Sequence, residues 1–240
     1  MRILAIDTCF GAVSVALGWT EPNGASRIAH RYEERRTGHA ERLYPMIAEV
    51  LGEAGLTRVD VDRVAATIGP GSFTGVRIVI AAARGFRLAS GCEIVGATSL
   101  EVMARTAIRR LGRSHADREL IVAVDARRGE IYLQRFSASV ASPLDRPTLA
   151  GVETIATTIE TGASVLIVGS GATALAAAAL ARGVAAEALL PELEPDALDL
   201  LDLAPGLAPT TALVPLYVRA PDAKPPASPA IARVGSEGAS

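Results

Sequence analysis

Cysteine is scarce in this sequence. Its 240 residues include two cysteines, Cys9 and Cys92, and each lies within an apolar segment. Small secreted domains are often held together by several disulfide bonds, and two widely spaced thiols cannot provide such a framework. The scarcity therefore excludes the disulfide-rich secreted class and favours a reducing compartment.

The sequence also lacks a long uninterrupted apolar run, although 50% of its residues are hydrophobic. A membrane-spanning helix needs about 20 apolar residues. The alanine-rich segment 172–181 is too short and is ended by Arg182, and the N-terminal apolar run reaches Asp7 too soon for a signal peptide. We therefore expect a cytoplasmic protein with no membrane contact.

Neither sign of charge is in large excess. Lys and Arg total 24, Asp and Glu total 26, and the formal net charge is -2. A protein that binds nucleic acid through one large patch is usually more basic. We therefore expect at most auxiliary contacts between this chain and a nucleic acid.

Histidine is scarce as well, with only His30, His39 and His115. None has a second histidine four residues later, so no helix face presents a His pair to a metal, and His39 with Glu41 supplies too few ligands for a closed site. The serine-hydrolase pattern G-x-S-x-G is missing, while a Cys–His pair formed only in space stays open. We predict no metal site and no catalytic residue.

Hydrophobic periodicity divides the chain into two α/β units. Strands are predicted at 2–6, 12–17, 26–32, 61–68, 92–95, 120–124, 130–136 and 165–168. Helices are predicted at 43–54, 76–89, 99–110, 153–160, 172–181 and 196–203. These elements predict an N-terminal lobe at 1–100 and a second α/β lobe at 101–220. The Pro-, Ala- and Ser-rich residues 221–240 are predicted to form a disordered tail.

The stretch IGPGSFTGVRI, residues 68–78, joins a predicted strand to a predicted helix. It lacks the lysine of a P-loop, and its third glycine comes one residue too late for the dinucleotide motif G-x-G-x-x-G. Two interpretations stay open. Free N–H groups at the helix start, capped by Ser72 or Thr74 and joined by Arg77, would suit an anion. Alternatively, the glycines permit only a tight turn and a close approach of the helix to the sheet. Phe73, at the loop tip, is expected to be exposed unless a partner covers it.

The helix after this loop carries a stripe of small residues. Counting from Ile78, positions i, i+3, i+4, i+7 and i+11 are Ile78, Ala81, Ala82, Gly85 and Ala89, while bulkier apolar residues occupy the flank. Small side chains let a second helix approach closely, and a helix that is apolar over much of its surface should be buried over much of it. The second helix belongs either to this chain or to a partner, and both interpretations stay open.

Asp7 and Asp125 each end the first predicted strand of a unit. Asp7-Thr8 followed by a hairpin with Gly11 is similar to the phosphate corner of actin-like ATPases, in which an Asp positions the metal–nucleotide and the hairpin backbone contacts phosphate. This chain has less glycine there than such corners usually carry. The alternative is that both residues merely form Asx-type turns.

Several motifs together resemble the TsaB (YeaZ) family of bacterial tRNA threonylcarbamoyladenosine biosynthesis subunits. They are residues 3–8, SVAL at 14–17, HAE at 39–41, GPGSFTGVRI at 69–78, SLE at 99–101 and DARRGEIY at 125–132, with a weaker echo at 215–219. The resemblance covers residues 1–135, whereas the Ala-rich residues 137–215 match poorly. It implies an α/β fold of the actin-like (ASKHA, ribonuclease H-like) type with two lobes, the second smaller and degenerate.

The resemblance further implies a non-catalytic subunit that supports a TsaD-type catalytic subunit. That subunit transfers threonylcarbamoyl from its adenylate to N6 of adenosine 37 in tRNAs that read ANN codons. A TsaE-type ATPase is a second implied partner, and tRNA is contacted indirectly or through auxiliary contacts. The chain is expected to form a homodimer when alone. No cofactor is expected on this chain, and ATP and a metal are expected in the partner subunits. TsaD-type subunits bind their metal through a His-x-x-x-His pair, whereas here Leu43 follows His39 by four residues.

In this family the interfaces involve the first two helices, here 39–54 and 75–89. We therefore predict a partner interface at His39, Glu41, Leu43, Phe73, Arg77, Ile78, Ala81, Ala82 and Gly85. Degenerate phosphate-type corners are predicted at Asp7, Thr8, Gly69, Gly71, Ser72 and Asp125. Two other functions stay open. One is an actin-like ATPase or kinase that uses Asp7 and Asp125. The other is a metallopeptidase, against which the missing His pair argues.

Overall fold

The computed structural model describes residues 1–112, 115 and 117–219, and the tail predicted at 221–240 lies outside these residues. The described residues form ten β-strands and six α-helices. The strands are β1 (Ile3–Asp7), β2 (Ala12–Thr20), β3 (Ser26–Glu34), β4 (Arg63–Thr67), β5 (Glu93–Ala97), β6 (Glu119–Asp125), β7 (Glu130–Ser137), β8 (Thr148–Gly151), β9 (Ser164–Val168) and β10 (Ala185–Leu189). The helices are α1 (His39–Glu53), α2 (Phe73–Ser90), α3 (Ser99–Leu111), α4 (Val152–Ala156), α5 (Ala172–Leu180) and α6 (Ala197–Leu203).

Each lobe is built on one five-stranded mixed sheet, with the strand order β3-β2-β1-β4-β5 in the first lobe and β10-β9-β6-β7-β8 in the second. In the first sheet, β1, β2 and β3 form an antiparallel meander, and β4 and β5 run parallel to β1. Strands β6 to β10 repeat this arrangement in the same chain order. The predicted two-lobed α/β fold is confirmed.

The first sheet is covered on both faces. Successive residues of a strand point to opposite sides, so one strand can contribute to a core on each face. Leu4, Ile6 and Val15 belong to the core that includes α1 and α2. On the other face, Ala5 belongs to a cluster with Leu200 of α6. Helix α6 therefore packs on the first sheet although it follows the second sheet in the chain. The division of the chain at residue 100 stays a prediction.

Helix α1 confirms the stripe that its sequence predicts. Its buried residues are Leu43, Met46, Ile47, Val50 and Leu51, at the spacing of one helix face. The helix begins directly after Gly38, whose φ of 75° is in the left-handed region that glycine tolerates. The buried face of α1 joins that of α2 in one core on the first sheet.

The second lobe departs most from the sequence prediction. Strands β8 and β10 were not predicted, and the helix predicted at 153–160 extends only over Val152–Ala156. β10 reads AAEAL, which lacks β-branched residues, and its strand conformation comes from parallel pairing with β9. Pairing in the folded chain overrides local preference here.

Within the described part of the chain, no helix combines the length and the apolar character that crossing a membrane requires.

Candidate functional site

The glycine loop is a strand–turn–helix junction, as its sequence predicts. Strand β4 ends at Thr67, and Ser72 caps α2 by accepting a hydrogen bond from the Gly75 N–H at 3.0 Å. Gly69 has φ 98°, a conformation that a residue with a side chain rarely adopts. The cap residue is therefore Ser72, and Thr74 lies within the first turn.

The same loop packs directly against the turn between β1 and β2. The Ser72 N–H donates to the Cys9 carbonyl at 2.8 Å, and a Cβ on Gly71 would lie 2.6 Å from that oxygen. A Cβ on Gly75 would overlap the Thr8 carbonyl oxygen. These two glycines are thus used for close backbone approach, which is the second of the two interpretations of the loop.

Asp7 is completely buried between these two segments. Its Oδ1 accepts hydrogen bonds from the Thr67 hydroxyl and, at 3.3 Å, from the Cys9 N–H. Its Oδ2 has no hydrogen-bond partner in the described structure. Burial raises the pKa of Asp7 to about 7, and burial likewise raises the pKa of the Cys9 thiol. Within the described part of the chain, no cation contributes to the pKa of either group.

A cleft of about 620 Å³ opens between the lobes, beside the glycine loop. Gly11, Gly71 and Ser72 line it from the first lobe, and Asp125 and Ser170 line it from the second. Asp7 does not line this cleft. The two carboxylates that an actin-like ATPase would direct at one ligand therefore do not both line this cleft.

Asp125 forms the Asx-type turn that was the alternative interpretation. Its Oδ1 accepts the Arg127 N–H at 2.8 Å, and its own N–H donates to the Ser170 hydroxyl oxygen at 3.0 Å. Arg127 and Arg128 have φ of 65° and 60°, so this turn places two arginines in the left-handed region. The Asp125 side chain is 45% exposed and lies at the mouth of the cleft.

Glu194 lines the cleft as well, and it was not among the predicted site residues. It lies between β10 and α6, and its Oε2 accepts the Gly11 N–H at 3.0 Å. Burial raises the pKa of Glu194 to about 7, the Gly11 hydrogen bond opposes this, and the nearby charges of Asp7 and Glu34 add to it. Glu194 is 183 residues from Gly11 in sequence. No local sequence pattern predicts a contact between residues so far apart in the chain.

Ser14, His30 and Asp196 form a polar cluster that was not predicted, in which Ser14 and Asp196 are buried and His30 is partly exposed. His30 Nε2 lies 2.7 Å from Asp196 Oδ1 and 3.5 Å from Ser14 Oγ. A Ser-His-Asp triad needs serine and carboxylate on different ring nitrogens, but here both face Nε2. Ser14 Oγ donates to Asp196 and accepts from the Ala197 N–H, while Arg109 also pairs with Asp196. The cluster therefore connects α6 to β2, β3 and α3.

The exposed face of α2 carries part of the predicted small-residue stripe. Ala81, Gly85 and Ala89 are exposed at intervals of four residues, and Leu88 beside them is 90% exposed. Ile78 is only partly exposed.

The prediction of a partner interface is corrected at two residues. Leu43 and Ala82 are 0% and 1% exposed, because both belong to the core between the helices and the first sheet. Neither offers surface to a partner. Glu41 is exposed on α1, whereas half-buried His39 is hydrogen-bonded internally, with Nε2 2.9 Å from the Phe10 carbonyl oxygen.

Phe73 is 58% exposed at the start of α2, and its ring stacks on Tyr217 with 5.8 Å between centroids. The Arg77 guanidinium lies 3.6 Å from the Phe73 ring centroid, and its Nε donates to the Tyr217 hydroxyl at 3.1 Å. Tyr217 belongs to the C-terminal segment 210–219, in which Arg219 donates to the Ala126 carbonyl of the second lobe at 2.8 Å. This segment therefore links the start of α2 to the Asp125 turn.

Among the described residues, no three or more His, Cys, Asp or Glu side chains are grouped so that they could hold a metal ion.

Comparisons with known proteins agree with this architecture. Residues 33–150 match the family model described as TsaD: tRNA N6-adenosine threonylcarbamoyltransferase. The tRNA threonylcarbamoyladenosine biosynthesis protein TsaB of Escherichia coli is 41% identical over 132 residues, which cover 55% of this chain and 53% of that protein. This chain thus matches about half the length of that curated relative.

Two further matches extend over nearly the whole chain. An uncharacterised protein of Mycobacterium tuberculosis is 32% identical over 229 residues, covering 93% of this chain and 94% of that protein. The solved structure of YeaZ from Pseudomonas aeruginosa superposes with a TM-score of 0.72 at 29% identity, covering 90% of this chain and 99% of that one. With the glycine loop and the duplicated sheet topology in place, the chain belongs to the TsaB (YeaZ) family.

Proposed function

We propose that this chain is a non-catalytic partner subunit in the biosynthesis of threonylcarbamoyladenosine at position 37 of tRNA. In this proposal it supports a TsaD-type catalytic subunit that transfers threonylcarbamoyl from its adenylate to N6 of the adenosine in ANN-decoding tRNAs. The E. coli relative bears the name of a protein of this biosynthesis. The observation that carries the partner role is the exposed face of α2.

This face has the composition of a helix-docking surface. Ala81 and Gly85 lie one turn apart and project almost no side chain, so a second helix can approach the backbone closely. Leu88 is 90% exposed at the edge of the same face, and a large apolar side chain in water favours burial by a partner. Phe73 and Arg77 extend the surface to the helix start, and aromatic and Arg residues are enriched where partners bind tightly.

The charges on the two helices suit a symmetric pair as well as a related partner. Glu41 is exposed on α1, and Arg77 and Arg84 lie on the exposed side of α2. A two-fold axis that sets α1 of one copy against α2 of the other would bring Glu41 close to these arginines. We therefore propose that the isolated chain forms a homodimer through the face that the TsaD-type subunit occupies in the complex.

The hydrogen bonds in the cleft favour a non-catalytic role over nucleotide turnover. The chain's own groups engage three amides beside the cleft: the Gly11 N–H donates to the Glu194 carboxylate, the Ser72 N–H to the Cys9 carbonyl and the Gly75 N–H to the Ser72 hydroxyl oxygen. We propose that ATP and the metal act in the partner subunits, including a TsaE-type ATPase, and that tRNA contacts this chain only at auxiliary positions. Cytoplasmic localisation is part of the same proposal.

The test compares two tryptophan substitutions on exposed helical alanines. Ala81 lies on the proposed face of α2, and Ala177 lies on α5 of the second lobe. Ala81→Trp should abolish co-purification with the TsaD-type subunit of the same genome and lower the threonylcarbamoyladenosine content of digested tRNA, measured by mass spectrometry. Ala177→Trp should change neither.

Two results would contradict the proposal. Unchanged affinity of Ala81→Trp for the TsaD-type subunit would show that the interface is elsewhere. Failure of the parent chain to bind that subunit would remove the partner role itself. The ATPase alternative predicts that the purified chain binds Mg-ATP with micromolar affinity and that Asp7→Ala loses this binding.

A further inference from the structure

The connection between the lobes places a carboxylate against the hairpin turn of the first lobe. Glu194 lies between β10 of the second sheet and α6, which packs on the first sheet. Its Oε2 accepts the Gly11 N–H at 3.0 Å, and a Cβ on Gly11 would lie 2.6 Å from its Oε1. The absence of a side chain at Gly11 therefore makes room for the carboxylate.

A carboxylate and a phosphate make the same demand on a backbone N–H, since both are anionic oxygen acceptors. Gly11 lies in the cleft of about 620 Å³, with the Ser72 and Ser170 hydroxyls and the Arg127 side chain in its walls. These groups are suited to a phosphoryl ligand. The Glu194 carboxylate lies among them, at the position where an anion would meet the Gly11 amide.

The negative charge of Glu194 also opposes the binding of an anion at the Gly11 amide. An anion bound at Gly11 would lie within a few ångströms of Glu194, and like charges at that separation repel strongly in a partly desolvated site. Asp7 and Glu34 add negative charge near the same carboxyl group. At pH 8 the Glu194 carboxyl, with a pKa of about 7, is mostly ionised.

We propose that Glu194 is an internal ligand that occupies the phosphate corner of the cleft and excludes phosphoryl ligands from it. The amide that would hold a phosphate instead holds a carboxylate on the connection between the two lobes, so the same contact closes the corner and fastens that connection to the first lobe. The inference does not depend on the partner role, because the purified chain alone can test it.

The experiment measures binding of inorganic pyrophosphate and, separately, of Mg-ATP by calorimetry at pH 8. The variants are Glu194→Ala and Glu194→Gln, and the control is Glu192→Ala, which removes an exposed carboxylate from the same connection. Both Glu194 variants should bind pyrophosphate about tenfold or more tightly than the parent, since a like charge beside the site is removed. Glu192→Ala should match the parent.

A second readout locates the binding. In the Glu194 variants, pyrophosphate should shift the backbone amide resonance of Gly11, and in the parent it should not. Glu194→Gln preserves the side-chain volume, so it tests the charge even where Glu194→Ala unfolds. The proposal is overturned when no folded Glu194 variant binds pyrophosphate better than the parent, or when the parent binds it as tightly as the variants with the same Gly11 shift.

Discussion

The buried carboxyl of Asp7 should make this protein less stable as pH rises, and Asp7→Asn should remove that contribution. Asp7 is 0% exposed, and its Oδ2 has no hydrogen-bond partner in the described structure. Its pKa is about 7 in the fold against an ordinary value of 3.8. Between these two values the unfolded chain has released the proton while the folded chain still holds it.

The sign follows from proton linkage. When the folded state binds more protons than the unfolded state, the free energy of unfolding falls as pH rises. The two pKa values of Asp7 imply a cost of about 2 kcal/mol at pH 5 and about 4 kcal/mol at pH 8. Asn resembles the protonated acid in shape and keeps an oxygen for Thr67 and Cys9. The stability of Asp7→Asn relative to the parent should therefore rise by about 2 kcal/mol between pH 5 and pH 8.

Urea unfolding at pH 5, 6, 7 and 8, followed by circular dichroism, measures this difference. The control is Asp62→Asn, because the Arg2 hydrogen bond lowers the pKa of Asp62 and its ionised form is stabilising. That variant should be less stable than the parent at pH 7. A stability difference for Asp7→Asn that stays flat with pH, or that shrinks as pH rises, would refute the reasoning, since it would mean that Asp7 is ionised in the fold.

Three further predictions concern α2 and its start. Gly75→Ala should destabilise the fold by about 3 kcal/mol, because the new Cβ overlaps the Thr8 carbonyl oxygen, and a lowered urea midpoint measures this. Gly85→Ala, on the same helix with open space at its Cβ position, should instead stabilise it by about 1 kcal/mol, and equal effects of the two variants would contradict this account of the close approach. Phe73→Ala should leave the melting temperature almost unchanged but weaken binding to the TsaD-type subunit about tenfold, and Tyr217→Ala, which removes the stacked ring, should act in the same direction; calorimetry showing parent-like affinity for both would place the interface elsewhere.

The two lobes repeat more than their strand order. Gly69 and Gly71 follow β4, and Gly169 and Gly171 follow β9, the topologically equivalent strand. Gly69 and Gly169 have φ of 98° and 94°, and a Cβ on either Gly71 or Gly171 would crowd the backbone of the segment it packs against. The glycines after these strands therefore serve the same close approach in both halves.

The aspartates at the ends of β1 and β6 have equivalent positions in the two sheets but different environments. Asp7 and Asp125 occupy equivalent places in the two sheets, but Asp7 is buried and Asp125 is at the cleft mouth. Burial raises the pKa of Asp7 to about 7, whereas Asp125 accepts a backbone N–H in an exposed turn. A shared topology thus supports two different environments for one residue type.

Part of this architecture can be predicted from the sequence because it depends on neighbours along the chain. The period of α1, the Ser72 cap and the strand–turn–helix junction at Gly69 all follow from residues within a few positions of one another. The family resemblance rests on local motifs of the same kind. The exposure of Phe73 at the loop tip was predicted from such a pattern as well.

The tertiary structure alone decided the features that depend on distant contacts. Ala82 and Ala81 are adjacent in sequence, and only packing against the first sheet buries one and exposes the other. Strand β10 forms because β9 supplies its hydrogen bonds. Glu194 reaches Gly11 across 183 residues, since the chain returns to the first lobe after completing the second sheet. Local sequence determines the elements whose pattern is carried by near neighbours, whereas β10 and the burial and charge environment of each side chain depend on the segments that fold against them.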